Sequence, residues 1–296
     1  MSREEEKPML NYIKLLRPKH GVKSLLALIP LLASGNPFTA ADLGRGLLAV
    51  GLFWMAASGV YVMNDLLDAP RDRLHPVKKT RPIASGAIPP SVAVLLAGAL
   101  WLASVGVGLA AFPWQAPVLT VLYIALNAGY SLGLKDVPVV DVAILAAGFL
   151  IRVSYGGLAV GRAVSPWLWL AVAGASFHLV FDKRRNELVK AGGDTGETRK
   201  VLASYDEPFL SKSIGLCRGL AVGGYAAWTV LSDAGGRFAA HLPVTVPMLL
   251  VVTFLYDLAM GRSREDKDMV SIVMGNRALV ASAVATIAAV GIILYA

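Results

Sequence analysis

The sequence predicts an all-α, polytopic membrane protein, a bundle of nine transmembrane helices with its chemistry in cytoplasmic loops. Three observations predict this. Hydrophobic residues make up 56% of the 296 and charged residues only 16%, with a mean hydropathy of +0.60, a composition suited to lipid rather than water. No Asp, Glu, Lys or Arg occurs from Ala84 to Leu134, from Phe238 to Tyr256 or from Ala278 to Ala296, and each run is long enough to cross a bilayer at least once. The cations, finally, fall almost wholly in alternate loops.

Apolar windows separated by charged, Pro- or Gly-bearing breaks lie near 22–35, 43–67, 91–112, 116–134, 138–160, 166–187, 212–232, 240–260 and 278–296, which makes nine spans. The first is short and holds Pro30; without it the count is eight and the C-terminus changes sides. With nine, 24 of the 28 Lys and Arg fall before the first span or in the even-to-odd loops, and only Arg45, Arg152, Arg162 and Arg237 lie elsewhere. That asymmetry puts the N-terminus in the cytoplasm. The expectation is a single integral-membrane domain over 1–296. It has a cytoplasmic segment at 1–21 and cytoplasmic active-site loops at 68–90 and 183–211.

The formal charge of +8 is then topology, and no nucleic-acid partner is expected. The single Cys217 and four scattered histidines exclude a disulfide framework and a zinc site. Met1–Lys7 is charged, but no apolar stretch with a small-residue cleavage site follows closely, so no removable signal is read. Glycine pairs Gly129/Gly133, Gly157/Gly161 and Gly219/Gly223 are expected to let helix backbones approach closely. The Gly106-Val-Gly-Leu-Ala-Ala111 run resembles a dinucleotide fingerprint but lies inside an uncharged span with no strand before it, and is discarded.

The second span ends in a dense polar cluster, Asn64-Asp-Leu-Leu-Asp-Ala-Pro-Arg-Asp72. On a helix Asp65, Asp68 and Asp72 share a face with Asn64, so their oxygens can converge on a hard divalent cation. Three facing carboxylates repel, and a bound ion removes that penalty. Mg²⁺ takes one or two carboxylates plus substrate phosphate, so a diphosphate is the natural third party. Arg71, Arg73, His75, Lys78, Lys79 and Arg81 supply donors for the remaining phosphate oxygens. A merely solvated helix end obeying the positive-inside bias explains these cations but not the clustered acids. Pro70 is expected to kink the helix and to displace Asp72.

With this Asn-Asp-x-x-Asp-x-x-x-Asp array and nine spans the sequence resembles the UbiA superfamily of intramembrane prenyltransferases over nearly its whole length. The resemblance implies that Asn64, Asp65, Asp68 and Asp72 are Mg²⁺–diphosphate ligands. Members that transfer prenyl groups carry a second aspartate-rich motif; the matching region here is Phe181-Asp-Lys-Arg-Arg-Asn-Glu187, where three adjacent cations stand with only Asp182 and Glu187 as acids. A donor and acceptor that bring more phosphate call for more Arg and Lys.

Several segments resemble the decaprenyl-phosphate phosphoribosyltransferase branch. They are Leu16-Arg-Pro-Lys-His-Gly-Val-Lys23, Asp72 to Pro82, Tyr130-Ser-Leu-Gly-Leu-Lys135 on to Asp141, Gly148 to Arg152, Lys183-Arg184 with Glu187, Arg199 to Tyr205, and Asn276-Arg277. That likeness implies Mg²⁺-dependent transfer of a 5-phosphoribosyl group from phosphoribosyl pyrophosphate to a polyprenyl phosphate, with Lys183 and Arg184 joining the three aspartates in catalysis. It also implies substrate contacts from Lys23, Tyr130, Lys135, Asp141, Arg152, Asp182 and Glu187. Self-association stays open. Asp182 departs from that branch and keeps prenyl transfer to an aromatic or lipid acceptor as the alternative.

From the residues alone, Arg152 is a charge at membrane depth that must face the bundle interior and pair with Asp141 or with a substrate phosphate. Tyr130 reads equally as an interfacial anchor. The polar loop 188–211, hinged by Gly192, Gly193 and Gly196 with a helical stretch at 200–205, is either a closing lid or a connector.

Overall fold

A computed structural model describes residues 11–191, 200–231, 239–262 and 269–296. Among them every regular element is helical. The long ones are α1 (Ala40–Asp72), α2 (Pro90–Ala111), α3 (Gln115–Leu132), α4 (Val140–Val160), α5 (Pro166–Ala191), α6 (Glu207–Leu231), α7 (Thr245–Arg262) and α9 (Arg277–Tyr295), with the short α8 (Met269–Gly275) before the last.

Among the described residues six stretches are long and apolar enough to cross a membrane: α1, α2, α4, α6, Ala239–Gly261 and α9. Large apolar side chains stand outward on them, among them Leu95, Leu102, Leu216, Phe254 and Ile287. Such wide exposure of hydrocarbon suits lipid as the solvent. Three expected windows lack one requirement or the other. Val22–Ala33 is a short helical segment, α3 carries Gln115, Thr120 and Asn127, and α5 runs on into Asp182, Lys183, Arg184, Arg185, Glu187 and Lys190.

The chain divides into two compact units, one of residues up to Leu31 with Thr39–Ala163, the other of Leu32–Phe38 with Val164–Ala296. In the first, α1 opens with a capping box: Thr39 Oγ1 accepts from the Asp42 N–H while the Thr39 N–H donates to Asp42 Oδ2. At 33 residues α1 is about 50 Å long, well beyond the roughly 30 Å hydrocarbon layer, so its polar end has room outside it. Pro70 does not end the helix, which is continuous to Asp72. Proline this close to a helix end deprives only the Leu66 carbonyl of its donor, and the next turn closes with the Arg73 N–H on Ala69 O at 3.1 Å.

The core of this unit is aromatic, with Phe53, Phe112, Tyr123 and Tyr155 buried together and Phe112 edge-on to Tyr155. Between α1 and α2, the wholly buried Ser104 hydroxyl donates to Leu52 O at 2.8 Å. Ser104→Ala should lower thermal stability in detergent by about 1 kcal/mol, the worth of one such bond; an unchanged melting temperature would show the bond contributes nothing. A second cluster of Leu15, Val62, Ala69, Ile83, Ile88, Ala93 and Ala97 pins the segment before α1 and the loop after it to the motif end of α1.

The glycine contacts differ from the expected pairs. A Cβ on Gly219, Gly223, Gly133 or Gly161 would meet open space, and one on Gly129 would meet only Leu134 of its own stretch. The close approaches lie elsewhere: Gly156 of α4 sits on the backbone of Ala27 in the first unit, and in the second Gly174 of α5 faces Ala221 and Cys217 while Gly224 of α6 faces Ala171. One residue turns a helix face by about 100°, so spacing alone chose Gly223 where packing uses Gly224. The second unit has its own core of Trp228, Leu242 and Leu294, with Tyr225 and Thr245 hydroxyls bonded at 2.7 Å and an Arg218–Asp257 ion pair.

Candidate active site

In the first unit the end of α1 presents Asp65 and Asp72, only 3% and 4% exposed. They are seven residues apart, two helical turns, and therefore on one face. A single guanidinium bridges them: Arg81 Nη1 donates to Asp65 Oδ1 at 3.1 Å and to Asp72 Oδ2 at 2.8 Å. Arg17 Nη2 donates to the same Asp65 Oδ1 at 2.5 Å. The expected convergence of all three acids is thus only partly made. Asp68 does not join these bonds, and among the described residues no three His, Cys, Asp or Glu side chains gather as a metal-holding group. Two arginines satisfy the buried carboxylates instead, because burying such charge without a partner is costly.

The donor set still fits a hard divalent cation. Asp65 and Asp72 offer carboxylate oxygens on one face with half-buried Asp68 between them in sequence, and Mg²⁺ takes all-oxygen ligation. Their present partners, Arg17 and Arg81, are 24% and 29% exposed, so both guanidinia can turn toward an incoming phosphate without being pulled from a core.

Arg17 was counted in the sequence only as a positive-inside cation. Its sole signal was its place in Leu16-Arg-Pro18. The structure gives it a left-handed backbone, φ 49°, which a non-glycine residue adopts at a cost that its surroundings must offset. Ser58 Oγ, donating to Leu16 O at 3.1 Å, anchors this turn to α1, and the guanidinium carbon lies 5.2 Å from the Tyr61 ring centre. Ser131 was also missed: its hydroxyl donates to Asn64 Oδ1 at 2.6 Å, which ties the motif asparagine to α3.

The loop after α1 holds the other expected cations at the surface. Arg73 donates from Nε to Ala84 O at 3.3 Å. His75 Nδ1 accepts from the Val77 and Lys78 N–H groups at 3.2 and 3.3 Å, so this histidine shapes the turn that carries Lys78 and Lys79, both exposed. Lys23 Nζ stands 5.8 Å from the Phe149 ring centre. Tyr130 and Lys135 are half-buried at the end of α3 and in the turn after it, and Asp141 is fully buried in the first turn of α4. Val139, just before α4, has φ 66°, a strained conformation for a β-branched residue. The expected Arg152–Asp141 pair is not formed: Arg152 bonds Gly148 O and the Tyr123 hydroxyl, because its side chain reaches back one turn, while Asp141 is three turns away.

In the second unit Asp182 is buried and accepts from the Tyr256 hydroxyl at 2.9 Å and from Asn186 at 3.4 Å. The Lys-Arg-Arg run is less available than its charge suggests. Arg184 is fully buried and donates to Glu187 at 2.7 Å, Arg185 donates to Glu207 at 3.1 Å, and Lys183, mostly exposed, lies 3.9 Å from Glu187. A short helical stretch is present at Lys200–Ser204, whereas Gly192, Gly193 and Gly196 lie outside the described residues.

Long apolar helices with a buried acid pair held by arginines at the end of α1 suit an enzyme that works at a membrane, and the comparisons make it a transferase. The chain belongs to the UbiA prenyltransferase family, which it matches over residues 24–256. It is 36% identical over 249 residues to the decaprenyl-phosphate phosphoribosyltransferase of Corynebacterium glutamicum, covering 80% of this chain and 74% of that one. It is 33% identical over 286 residues to the Mycobacterium tuberculosis protein of the same name, covering 94% and 92%. Its fold resembles that of a UbiA homolog from Archaeoglobus fulgidus solved with GPP and Mg²⁺, with a TM-score of 0.71 at 17% identity over 96% of this chain and 99% of that one.

Proposed function

We propose that the protein transfers a 5-phosphoribosyl group from phosphoribosyl pyrophosphate to a polyprenyl phosphate and releases pyrophosphate. The observation that carries this is the pair of buried carboxylates, Asp65 and Asp72, joined by Arg81, taken with the 33–37% identity to relatives named decaprenyl-phosphate phosphoribosyltransferase. Asp65, Asp68 and Asp72 would hold Mg²⁺, which when bound would supply positive charge to offset that on the departing pyrophosphate. Arg81 and Arg17, released from the acids, bind diphosphate oxygens in bidentate fashion, and Asn64 is kept in place by Ser131. Lys78, Lys79, Arg73 and His75 line the approach as an exposed basic loop. The acceptor's phosphate oxygen attacks ribose C1 from the face opposite the leaving group and inverts it. A phosphate monoester is already nucleophilic at neutral pH, so no strong general base is required.

In the second unit the exposed Lys183 is assigned to a substrate phosphate, and Arg184 acts through Glu187 as a positioning residue. Nine spans, a cytoplasmic N-terminus and a bacterial plasma membrane complete the reading. The second reading, prenyl transfer from a prenyl diphosphate, is favoured by Asp182, a buried acid at the place of the family's second motif.

Purified protein offered radiolabelled phosphoribosyl pyrophosphate with polyprenyl phosphate, beside prenyl diphosphate with 4-hydroxybenzoate, separates the two. Label should enter lipid with the first pair only, and only with Mg²⁺; label in lipid with the second pair alone rejects the phosphoribosyl reading.

A further inference from the structure

Arg152 lies in the middle of α4, 5% exposed, with its guanidinium carbon 4.9, 5.1 and 5.7 Å from the ring centres of Tyr123, Phe53 and Phe149. Of the five N–H donors of a guanidinium, Nη1 serves Gly148 O at 2.5 Å and Nη2 the Tyr123 hydroxyl at 3.0 Å, while the buried Nε has no partner. Rings and neutral oxygens attenuate the charge but do not neutralise it, and no carboxylate is bonded to it among the described residues.

The side chain runs back toward the Asp141 end of α4, as the bond to Gly148 requires. The guanidinium therefore lies at the level of residue 148, about 10 Å along the helix from Asp141. The half-buried Phe149 ring also lies 5.8 Å from the ammonium of Lys23, an exposed residue, so positive charge extends from Arg152 toward the surface of this unit. Glycine at 148 keeps the space beside Nη1 open, since a Cβ there would come within 3.3 Å of it.

An unneutralised, incompletely bonded guanidinium inside an apolar unit is suited to an anion that arrives with a substrate. We propose that Arg152 is the receptor for a phosphate monoester, and so a specificity-determining residue. It reads the additional phosphate that a phosphoribosyl donor or a polyprenyl phosphate acceptor carries and that a prenyl diphosphate lacks. The assignment rests on the phosphoribosyl reading above and deepens it.

The test is calorimetric titration of detergent-purified full-length protein with three probes: ribose 5-phosphate, geranyl phosphate and Mg²⁺–pyrophosphate. In Arg152→Gln, affinity for one of the two monoesters should fall at least tenfold while Mg²⁺–pyrophosphate binding is unchanged, and the monoester affected identifies the source of the phosphate. Arg152→Lys, which keeps the charge but not the fork, should lose at least threefold for the same monoester, and it decides the matter if the glutamine variant does not fold. Wild-type affinity for both monoesters in the folded variant overturns the proposal, as does a wild-type protein that binds pyrophosphate but neither monoester. A wild-type protein that fails to bind Mg²⁺–pyrophosphate overturns the proposed function itself.

Discussion

Asp65→Asn will reduce transfer of the labelled group by at least about a thousandfold, equivalent to roughly 4 kcal/mol of transition-state stabilisation, and added Mg²⁺ will not restore it. Asp65 is the carboxylate on which both Arg17 and Arg81 meet. The amide keeps the side chain's volume but removes the negative charge and turns N–H donors toward two guanidinia. Metal binding, the placement of Arg17 and one of the two bonds of Arg81 are therefore lost together, and effects that act as one unit are not divisible among its members. The fold should survive: each arginine is about a quarter exposed and can turn to water, and Arg81 keeps Asp72 at 2.8 Å. Radiolabel incorporation into lipid, measured against Mg²⁺ concentration on protein that elutes as one species in detergent, checks the prediction. Turnover within tenfold of wild type would remove Asp65 from the site.

Gly174→Val will destabilise the second unit by about 3 kcal/mol or more, seen as a large fall in melting temperature in detergent. A Cβ at Gly174 overlaps Ala221 N and comes within 2.7 Å of Cys217 O. These are backbone atoms of α6 that cannot step aside without separating two helices, and the reciprocal contact of Gly224 with Ala171 opens with them. In lipid, where apolar burial between helices contributes little, this close van der Waals contact is what holds α5 to α6. Gly219→Ala and Gly223→Ala, where the added methyl meets open space, are the controls, and helix propensity alone makes them neutral or slightly stabilising. A Gly174→Val protein that melts with the wild type would show that the two helices are not in close contact.

The legible part of the candidate site was its chemistry. Asp65 and Asp72 announced themselves because acids at the end of an apolar helix need a reason, and a spacing of seven puts them on one face whatever surrounds the helix. What Arg81 does was only half legible. It was counted among the phosphate donors, whereas here its guanidinium bridges the two acids, a contact that depends on a loop held by Ile83 and Ile88. Arg17, 48 residues from its partner Asp65, was invisible for the same reason, as was Ser131, 67 residues from Asn64. Within the three-cation run at 183–185 the partner of Arg185 was equally out of reach, because Glu207, which it meets, is 22 residues distant.

The sequence by itself determined the solvent this chain lives in, its helical class, its family and the acids of its motif. Those properties follow from composition and from local period, which need no knowledge of what touches what. Tertiary structure alone decided which glycines admit a neighbouring backbone, that Pro70 leaves α1 whole, that the acids are held by Arg17 and Arg81, and that Arg152 sits among three rings with no carboxylate bonded to it among the described residues. Each of these is a pairing between atoms distant along the chain or a matter of helix phase, where one residue turns a side chain through about 100°.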